Sequence, residues 1–223
     1  MVSPFAWFKW HTLFREWPVF AAGLAVTLMI AVLALLFALF LGIIFGMLGA
    51  SHWKFARAAT RVYVEFIQNT PLVIQIFFLY NGLPYLGIVL PVFLVGVLGV
   101  GTYHGAYIAE VIRAGIQSIA KGQKEAAFSQ GFTYWQAMRH IILPQAQKVV
   151  LPPLTNQAIF LIKNTSVMAM VAGGDLMYRA DSWSSNNLYY GPAYVVTGLL
   201  YLSLCLPLSR LARRLEHRAE VAS

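Results

Sequence analysis

The stretch that decides the fold reads Glu125-Ala126-Ala127-Phe128-Ser129-Gln130-Gly131 and, after nine further residues, Ile141-Ile142-Leu143-Pro144-Gln145. It is polar and lies between very apolar sequences. The Glu-Ala-Ala start favours a helix, and Gly131 can adopt the positive φ that ends one. A second short helix is predicted from Phe132 to Ile141, closed by Pro144, because proline cannot continue a helix. The stretch is therefore predicted to be a loop with two short helices.

The composition places the chain in a lipid bilayer. Of its 223 residues, 59% are hydrophobic and 11% are charged, whereas soluble domains have about 25% charged residues. A soluble core of this length could not bury so much apolar surface, so the soluble classes are excluded. The net charge of +8 would suggest nucleic acid in a soluble protein. No nucleic-acid partner is expected here, because the basic residues lie in the loops between apolar runs.

Apolar runs separated by polar breaks predict an all-α polytopic membrane protein with five transmembrane helices. The first run, Val19 to Leu48, is far longer than the roughly 7–15 apolar residues of a signal peptide, so it is predicted to be a retained transmembrane helix. Gly42, Gly46 and Gly49 predict a closely packed neighbouring helix. The five helices are expected at about 20–48, 58–80, 91–118, 151–171 and 192–211.

The segments around these helices complete the predicted organisation. Residues 1–18 mix aromatic with charged side chains and are predicted to form an interfacial segment along the lipid headgroups. The membrane domain is predicted to span residues 19–214 and to include a polar loop at 121–147. A second polar loop is expected between Gly173 and Gly191. Residues 215–223 are predicted to be a cytoplasmic tail.

The distribution of basic residues orients the chain. Five spans place the two termini on opposite sides of the membrane. With the N-terminus outside, the inner loops and tail collect 12 of the 16 Lys and Arg residues: Lys54, Arg57, Arg61, Arg113, Lys121, Lys124, Arg139, Lys148, Arg210, Arg213, Arg214 and Arg218. The positive-inside rule therefore predicts that the N-terminus is outside and the C-terminus inside.

The second predicted helix carries polar side chains on one face. Glu65, Gln68 and Gln75 are spaced so that one continuous helical face holds all three. Such groups point to a bundle interior or a water-filled path, and Pro71 frees a backbone carbonyl, which is tolerated best beside a cavity. The alternative is that these side chains hydrogen-bond between helices. The candidate pathway residues of this helix are Glu65, Gln68, Asn69, Thr70 and Gln75.

The third predicted helix contains an ion pair and a histidine. Glu110 and Arg113 are three residues apart and can pair on one face near the inner interface. A structural pair is favoured over contact with a substrate. His104 could be a ligand, but a histidine with its hydrogen bonds satisfied in the structure is the favoured interpretation.

The fourth predicted helix holds Lys163 near its middle. An ammonium group at the bilayer centre costs at least ~2.5 kcal/mol on insertion scales, so Lys163 must pair or face water. Asn156 and Ser166 are expected on the same face, and Asn164 is adjacent. The candidate partners of Lys163 are a carboxylate of the substrate and Glu65, and the sequence leaves both open.

No catalytic set or metal site is predicted. The five histidines form neither a His-x-x-x-His nor a His-Glu-x-x-His pair, so a zinc hydrolase is unsupported. The chain has no Gly-x-x-x-x-Gly-Lys-Ser/Thr loop and is not expected to bind ATP itself. The single cysteine, Cys205, lies in an apolar run and cannot form a disulfide or a thiolate metal site within this chain.

The spacing Glu-Ala-Ala-x3-Gly-x9-Ile-x-Leu-Pro resembles the EAA loop of ABC importer permeases at every position. In that family the loop forms a coupling helix that docks into a groove on the cytoplasmic ATPase. The resemblance covers about Val19 to Arg214. It implies that the residues for ATPase coupling are Glu125, Ala126, Ala127, Gly131, Leu143 and Pro144.

Two further segments resemble the polar amino-acid branch of these importers, whose substrates include histidine, glutamine, glutamate and arginine. Thr70-Pro71-Leu72 and Gln75 match its Arg-Gly-Thr-Pro-Leu segment. Gln68-Asn69 stands where that branch has Arg-Gly, which removes a cation that could meet a substrate carboxylate. Lys163-Asn164-Thr165-Ser166 resembles its Lys-x-Thr-Ser motif, and Asp175 stands where glutamate is common.

The resemblance implies a transporter subunit rather than an enzyme. ATP and Mg would be bound by two partner ATPase subunits, with no cofactor on this chain. A second permease chain, identical or different, and an extracytoplasmic solute-binding protein would complete an importer in the bacterial cytoplasmic (inner) membrane. Glutamine or glutamate is the expected substrate, with basic amino acids next. The alternatives are an ATP-independent secondary carrier or channel and an intramembrane protease using Ser166 with His104.

Overall fold

The computed structural model describes residues 3–221, and of residues 218–221 only the backbone. All regular structure in this range is helical, which confirms the predicted all-α class. The α-helices are α1 (Trp7–Arg15), α2 (Trp17–Ala50), α3 (Lys54–Gln68), α4 (Leu72–Phe77), α5 (Val92–Ser118), α6 (Lys121–Ser129), α7 (Tyr134–Ala137), α8 (Leu143–Asn164), α9 (Leu176–Asn187) and α10 (Tyr190–Val221). Two π-helical segments, Phe78–Gly82 and Met138–Ile142, and two 3-10 segments, Leu83–Leu86 and Thr165–Val171, lie between them.

By length and composition, the described part of the chain has between three and five candidate membrane spans. Three helices are long and apolar enough to cross a membrane: Trp17–Ala50, Val92–Ser118 and Tyr190–His217. The number rises to five if each of two pairs joined at a short bend is one span: Lys54–Gln68 with Leu72–Leu86, and Tyr134–Val171 with Leu176–Asn187. This range includes the predicted five.

Helix α2 presents large apolar side chains outward. Leu36 and Phe40 are among its exposed residues, and both lie in its most apolar part. A soluble monomer rarely exposes a continuous apolar surface of this kind. In a bilayer the same side chains face lipid tails, so the exposed surface of α2 agrees with the composition.

The chain divides into two compact units. The first consists of the chain up to Phe37 together with Thr70–Gly101 and Ile159–Pro207. The second consists of Ala38–Asn69, Thr102–Ala158 and the chain from Leu208 onward. Helices α2, α5, α8 and α10 contribute to both units, so each unit is built from segments that are distant in sequence.

The first unit has a core formed by α1, α9 and the beginnings of α2 and α10. Leu13, Phe20 and Leu176 are fully buried in it, and the rings of Phe20 and Trp183 pack edge to face with centroids 5.5 Å apart. The indole Nε1 of Trp183 donates a 2.6 Å hydrogen bond to Glu16. The predicted interfacial segment 1–18 therefore includes a helix, α1, which is anchored by Leu13.

The predicted polar loop between Gly173 and Gly191 is wrong, because α9 occupies most of it. The Asp175 side chain accepts the backbone N–H of Met177 at 3.0 Å and caps the helix. Leu176, Ala180 and Trp183 are buried at spacings of four and three residues, which form one helical stripe. Because α9 is rich in polar residues, composition alone does not predict this buried stripe.

The predicted continuous helix from Ala58 to Tyr80 is also wrong. Helix α3 ends at Gln68, and Pro71 has the extended backbone angles φ −57° and ψ 137° before α4 begins at Leu72. Proline has no N–H to donate and disfavours helical geometry at the residue before it, here Thr70. The single polar face predicted for Glu65, Gln68 and Gln75 therefore does not exist.

In the second unit, α2 and α5 approach closely at two glycines. A Cβ atom on Gly42 would lie 2.2 Å from Cγ2 of Ile108, and one on Gly46 would lie 2.7 Å from Cβ of Ile112. Only the missing side chains allow this approach. The close helix contact predicted from the α2 glycines is confirmed. Tyr63 of α3 adds to the packing by stacking on Phe45 with centroids 4.3 Å apart.

Proline does not end the helix at residue 144, contrary to the prediction. A π-helical segment, Met138–Ile142, leads directly into α8, which starts at Leu143 and also contains Pro152 and Pro153. The wider π turn gives the ring of Pro144 room that a regular α-helical turn would not. Near the other end of the chain, α10 runs to Val221 through most of the predicted tail; residues 222 and 223 and the Arg218 side chain lie outside the described residues.

Candidate functional site

The coupling segment, residues 121–147, contains two short helices, α6 and α7, joined by a turn. Short-range sequence signals specify this arrangement. Gly131 has φ +82° after α6, as predicted. Thr133 then starts α7 with a capping box: its hydroxyl accepts the N–H of Gln136, and its own N–H donates to Gln136 Oε1 at 2.8 Å. These bonds satisfy backbone groups that a helix start leaves free. The turn between the two helices is thus held by its own residues.

The coupling segment has one buried and one exposed side. Ala127 is 1% exposed and anchors α6, whereas Phe128 is 48% and Trp135 69% exposed. Glu125 and Ala126 are also exposed, and the Glu125 carbonyl accepts a 2.9 Å hydrogen bond from the Ser129 hydroxyl. Aromatic residues are enriched at protein contact surfaces. The exposed side of this segment can therefore receive a partner protein.

Leu143 and Pro144 lie where the coupling segment enters α8. Leu143 is half-buried and Pro144 is exposed. The side chain of Gln145 donates a 2.9 Å hydrogen bond to the carbonyl of Ile141 and supports this entry. All six predicted coupling residues thus belong to one continuous segment, although only Ala127 among them is fully buried.

A polar cavity of about 670 Å³ lies in the second unit, lined chiefly by α3 and α5. It brings together four of the predicted residues: Glu65, Gln68, Glu110 and Arg113. The cavity is also lined by three residues predicted only as inner-loop charges and by one without a predicted role: Lys54, Arg57, Arg61 and Gln117. The basic residues at 54, 57 and 61 have helical spacing, and this pattern could have predicted that they lie on one helical face.

Two of the four cations in this cavity pair with its two carboxylates. Arg113 Nε donates to Glu110 at 2.9 Å and its Nη2 makes a second bond to the same carboxylate. Arg113 also donates to Gln117 at 2.7 Å. Arg61 lies 3.9 Å from Glu65 in a largely exposed pair. Four cations against two carboxylates leave the cavity positively charged.

The other candidate pathway residues from the predicted second helix form hydrogen bonds with backbone carbonyls. Gln68 Nε2 lies 3.4 Å from the carbonyl of Ala106. Asn69 donates a 2.7 Å hydrogen bond to the carbonyl of Glu65, one turn back. On the other side of the break, Gln75 donates to the carbonyl of Thr70 at 3.0 Å. These amides are therefore engaged with backbone carbonyls, and Gln75 bonds to the carbonyl of Thr70, which lies between the two helices.

Lys163 lines a smaller cavity in the first unit, of about 310 Å³, together with Ser166, Tyr194 and Tyr201. Its Nζ lies 4.6 Å from the centroid of the Phe160 ring, a cation–π distance. The Ser166 hydroxyl donates to the Lys163 carbonyl at 2.7 Å. A cationic and several hydroxyl groups therefore meet at this cavity.

The face predicted for Asn156, Lys163 and Ser166 does not continue along one α-helix. Helix α8 ends at Asn164, and Ser166 belongs to a 3-10 segment, whose three residues per turn change the direction of the side chain. Asn156 belongs to the second unit, where its amide donates to Glu216 at 3.1 Å.

His104 is buried, with 2% exposure, and its Nδ1 lies 3.0 Å from the side-chain oxygen of Gln157. This hydrogen bond agrees with the favoured structural interpretation of this histidine. Among residues 3–221 no group of three or more His, Cys, Asp or Glu side chains is arranged to hold a metal ion.

Comparison with known proteins identifies the family. Residues 38–221 match the model of the binding-protein-dependent transport system inner membrane component. The chain is 46% identical over 208 residues to the probable glutamine ABC transporter permease protein GlnM of Bacillus subtilis, covering 93% of this chain and 96% of that protein. It is 32% identical over 216 residues to the glutamine transport system permease protein GlnP of Escherichia coli, covering 96% and 99%.

Solved structures agree with this match. A crystal structure of an amino acid ABC transporter with histidines superposes with a TM-score of 0.87 at 34% identity, covering 94% of this chain and 98% of that one. The MetNI methionine ABC transporter shares the fold with a TM-score of 0.73 at 17% identity, covering 90% and 98%. This chain therefore belongs to the family of binding-protein-dependent transport system inner membrane components.

Proposed function

We propose that this chain is the permease subunit of an ATP-driven importer for polar amino acids, with glutamine as the first candidate substrate. The relatives named for glutamine transport, together with the match to an amino acid ABC transporter structure, support this substrate class. The observation that carries the proposal is the coupling segment, with its exposed Glu125 and the Gly131 turn. It offers a rigid surface to an ATPase.

In this proposal the chain supplies the pathway and a partner supplies the energy. Two permease chains pair, two ATPase subunits bind ATP and Mg below them, and a solute-binding protein delivers the substrate from outside. ATP favours the closed ATPase dimer, and the coupling segments move with it, so that access alternates between the two sides. A segment held by its own caps and by buried Ala127 can transmit such a movement without unfolding.

We further propose five spans in the bacterial cytoplasmic (inner) membrane, with the N-terminus outside and the C-terminus inside. The bent pairs α3–α4 and α8–α9 would each complete one span. The charge distribution supports this orientation, since the basic residues gather in the loops and tail assigned to the inside.

The substrate pathway is proposed to use the polar residues beside the two cavities and the α3–α4 break. The positive charge of the larger cavity favours neutral or acidic amino acids over cationic ones. Lys163 is proposed to meet the substrate carboxylate. The full proposed set is Glu65, Gln68, Asn69, Thr70, Gln75, Asn156, Lys163, Asn164 and Ser166.

The test is Glu125→Lys in the complex reconstituted with its ATPase and solute-binding protein. Glu125 is exposed, so the variant is expected to insert normally but to lose ATPase co-purification and glutamine uptake together. Lys148→Glu, a charge reversal at an exposed residue of α8, is the control and should retain both. Uptake that persists with no ATPase attached would replace the importer with a secondary carrier or channel.

A further inference from the structure

An apolar cavity lies beside the coupling segment in the second unit and is separate from the polar cavity described above. Its volume is about 540 Å³, within the roughly 300–1,000 Å³ range of small-molecule sites. Ile43, Ile44 and Met47 of α2 form one wall, and Tyr134, Trp135 and Met138 of the coupling segment form another. A molecule that fills this space would touch a membrane helix and the coupling segment at once.

The lining of this cavity changes in character along its length. Its α2 wall belongs to a helix whose most apolar 18-residue window has a mean hydropathy of 3.1, which indicates a position among lipid tails. Its other end carries His52, Trp53 and Tyr134, and the rings of His52 and Tyr134 meet edge to face with centroids 5.3 Å apart. Trp53 is 68% exposed. Aromatic rings at such a boundary are typical of the membrane–water interface.

Two cations that also line the polar cavity, Lys54 and Arg57, adjoin this aromatic end. Arg57 Nη1 donates hydrogen bonds to the carbonyls of Ser51 at 3.2 Å and His52 at 3.1 Å, two residues that line the cavity. Lys54 follows Trp53 directly and is exposed. A guanidinium retains further N–H donors after two such bonds, and its fork geometry suits a phosphate group.

We propose that this cavity binds an anionic phospholipid, with an acyl chain against α2 and the phosphate beside Arg57 and Lys54. The apolar wall, the aromatic rim and the adjacent cations match the three zones of such a lipid in order. Basic pockets on the inner side of membrane proteins bind anionic headgroups in this way. The lipid would support the Tyr134–Met138 wall and so stabilise the coupling segment against α2.

The binding test uses the purified complex in detergent, stripped of lipid and titrated with phosphatidylglycerol or phosphatidylcholine under native mass spectrometry. Phosphatidylglycerol is expected to be retained preferentially. Arg57→Gln should weaken its retention about five-fold, the contribution of one basic residue near an anionic lipid. Ile44→Trp, which fills the cavity from a partly exposed position, should weaken both lipids. Equal retention of the two lipids by the unmodified chain would overturn the proposal.

Two control variants separate the cavity from general effects. Lys148→Gln removes an exposed cation outside the cavity lining, and Leu36→Trp enlarges an exposed α2 residue outside it; both should leave retention unchanged. Inorganic phosphate is added as a competitor. Displacement of the lipid by phosphate at millimolar concentration would assign the site to free phosphate and overturn the lipid assignment. Neither measurement involves ATP or an amino acid, so the outcome is independent of the proposed transport function.

Discussion

The coupling segment and the break between α3 and α4 are both polar interruptions that contain a proline, but they are held in different ways. The coupling segment is shaped by its own residues, through the positive φ of Gly131 and the Thr133–Gln136 capping box. At the break, Asn69 and Gln75 bond to backbone carbonyls of the interrupted helix. A glycine turn and a capping box therefore shape the first region, whereas the second is set by Pro71 and by amide side chains that bond to carbonyls four and five residues earlier in the chain.

The largest effect is expected when the turn of the coupling segment is changed. Gly131→Val places a β-branched residue at φ +82°, which costs roughly 1–2 kcal/mol or more, so the turn between α6 and α7 should rearrange. ATPase co-purification and glutamine uptake should both fall to near background. Gly122→Ala is the matched control, because its Cβ meets no atom within 4 Å and the residue lies inside α6. Full uptake by Gly131→Val would show that the turn is not required.

A smaller effect is expected from the cap of α7. Thr133→Ala removes the hydroxyl that accepts the Gln136 N–H, at a cost of about 1 kcal/mol. Uptake should be reduced but retained, and the thermal unfolding midpoint of the solubilised complex should fall by a few degrees. Thr133→Ser keeps the hydroxyl and should behave like the unmodified chain. If Ser and Ala variants lose stability equally, the cap is not what holds the segment.

The smallest effect is expected at the break. Gln75→Leu removes the hydrogen bond to the Thr70 carbonyl, which is worth about 0.5–1.5 kcal/mol. Because Pro71 still prevents a continuous helix, the break should persist and ATPase co-purification should be unchanged. Uptake kinetics report whether Gln75 also meets substrate: a raised KM with unchanged ATPase binding assigns it to the pathway. An unchanged KM would leave Gln75 with a structural role alone.

The features predicted correctly from sequence depend on short-range chemistry. Composition was sufficient for the membrane class, because no soluble core can hide so much apolar surface. The sequence predicts Gly131 as the end of α6 because few other residues adopt a positive φ. Gly42 and Gly46 were recognised as a contact face because glycine at this spacing permits close packing.

The features predicted incorrectly depend on what surrounds a segment. Helix α9 is polar in composition, and the packing of Leu176, Ala180 and Trp183 in the first unit stabilises it as a helix. Pro71 interrupts a helix whereas Pro144, Pro152 and Pro153 lie within one. Proline removes one backbone hydrogen bond from a helix, but the geometry of the neighbouring turns determines whether the helix continues past it.

The sequence by itself determined the class of the protein, its family and the coupling segment, because apolar content, glycine conformation and helix caps act over a few residues. The tertiary structure alone decided which polar residues meet. Glu65 and Gln68 share a cavity with Glu110 and Arg113, while Lys163 lines another, since helices from distant parts of the chain bring them there. Spacing along one helix cannot predict such groupings when the helix itself is interrupted.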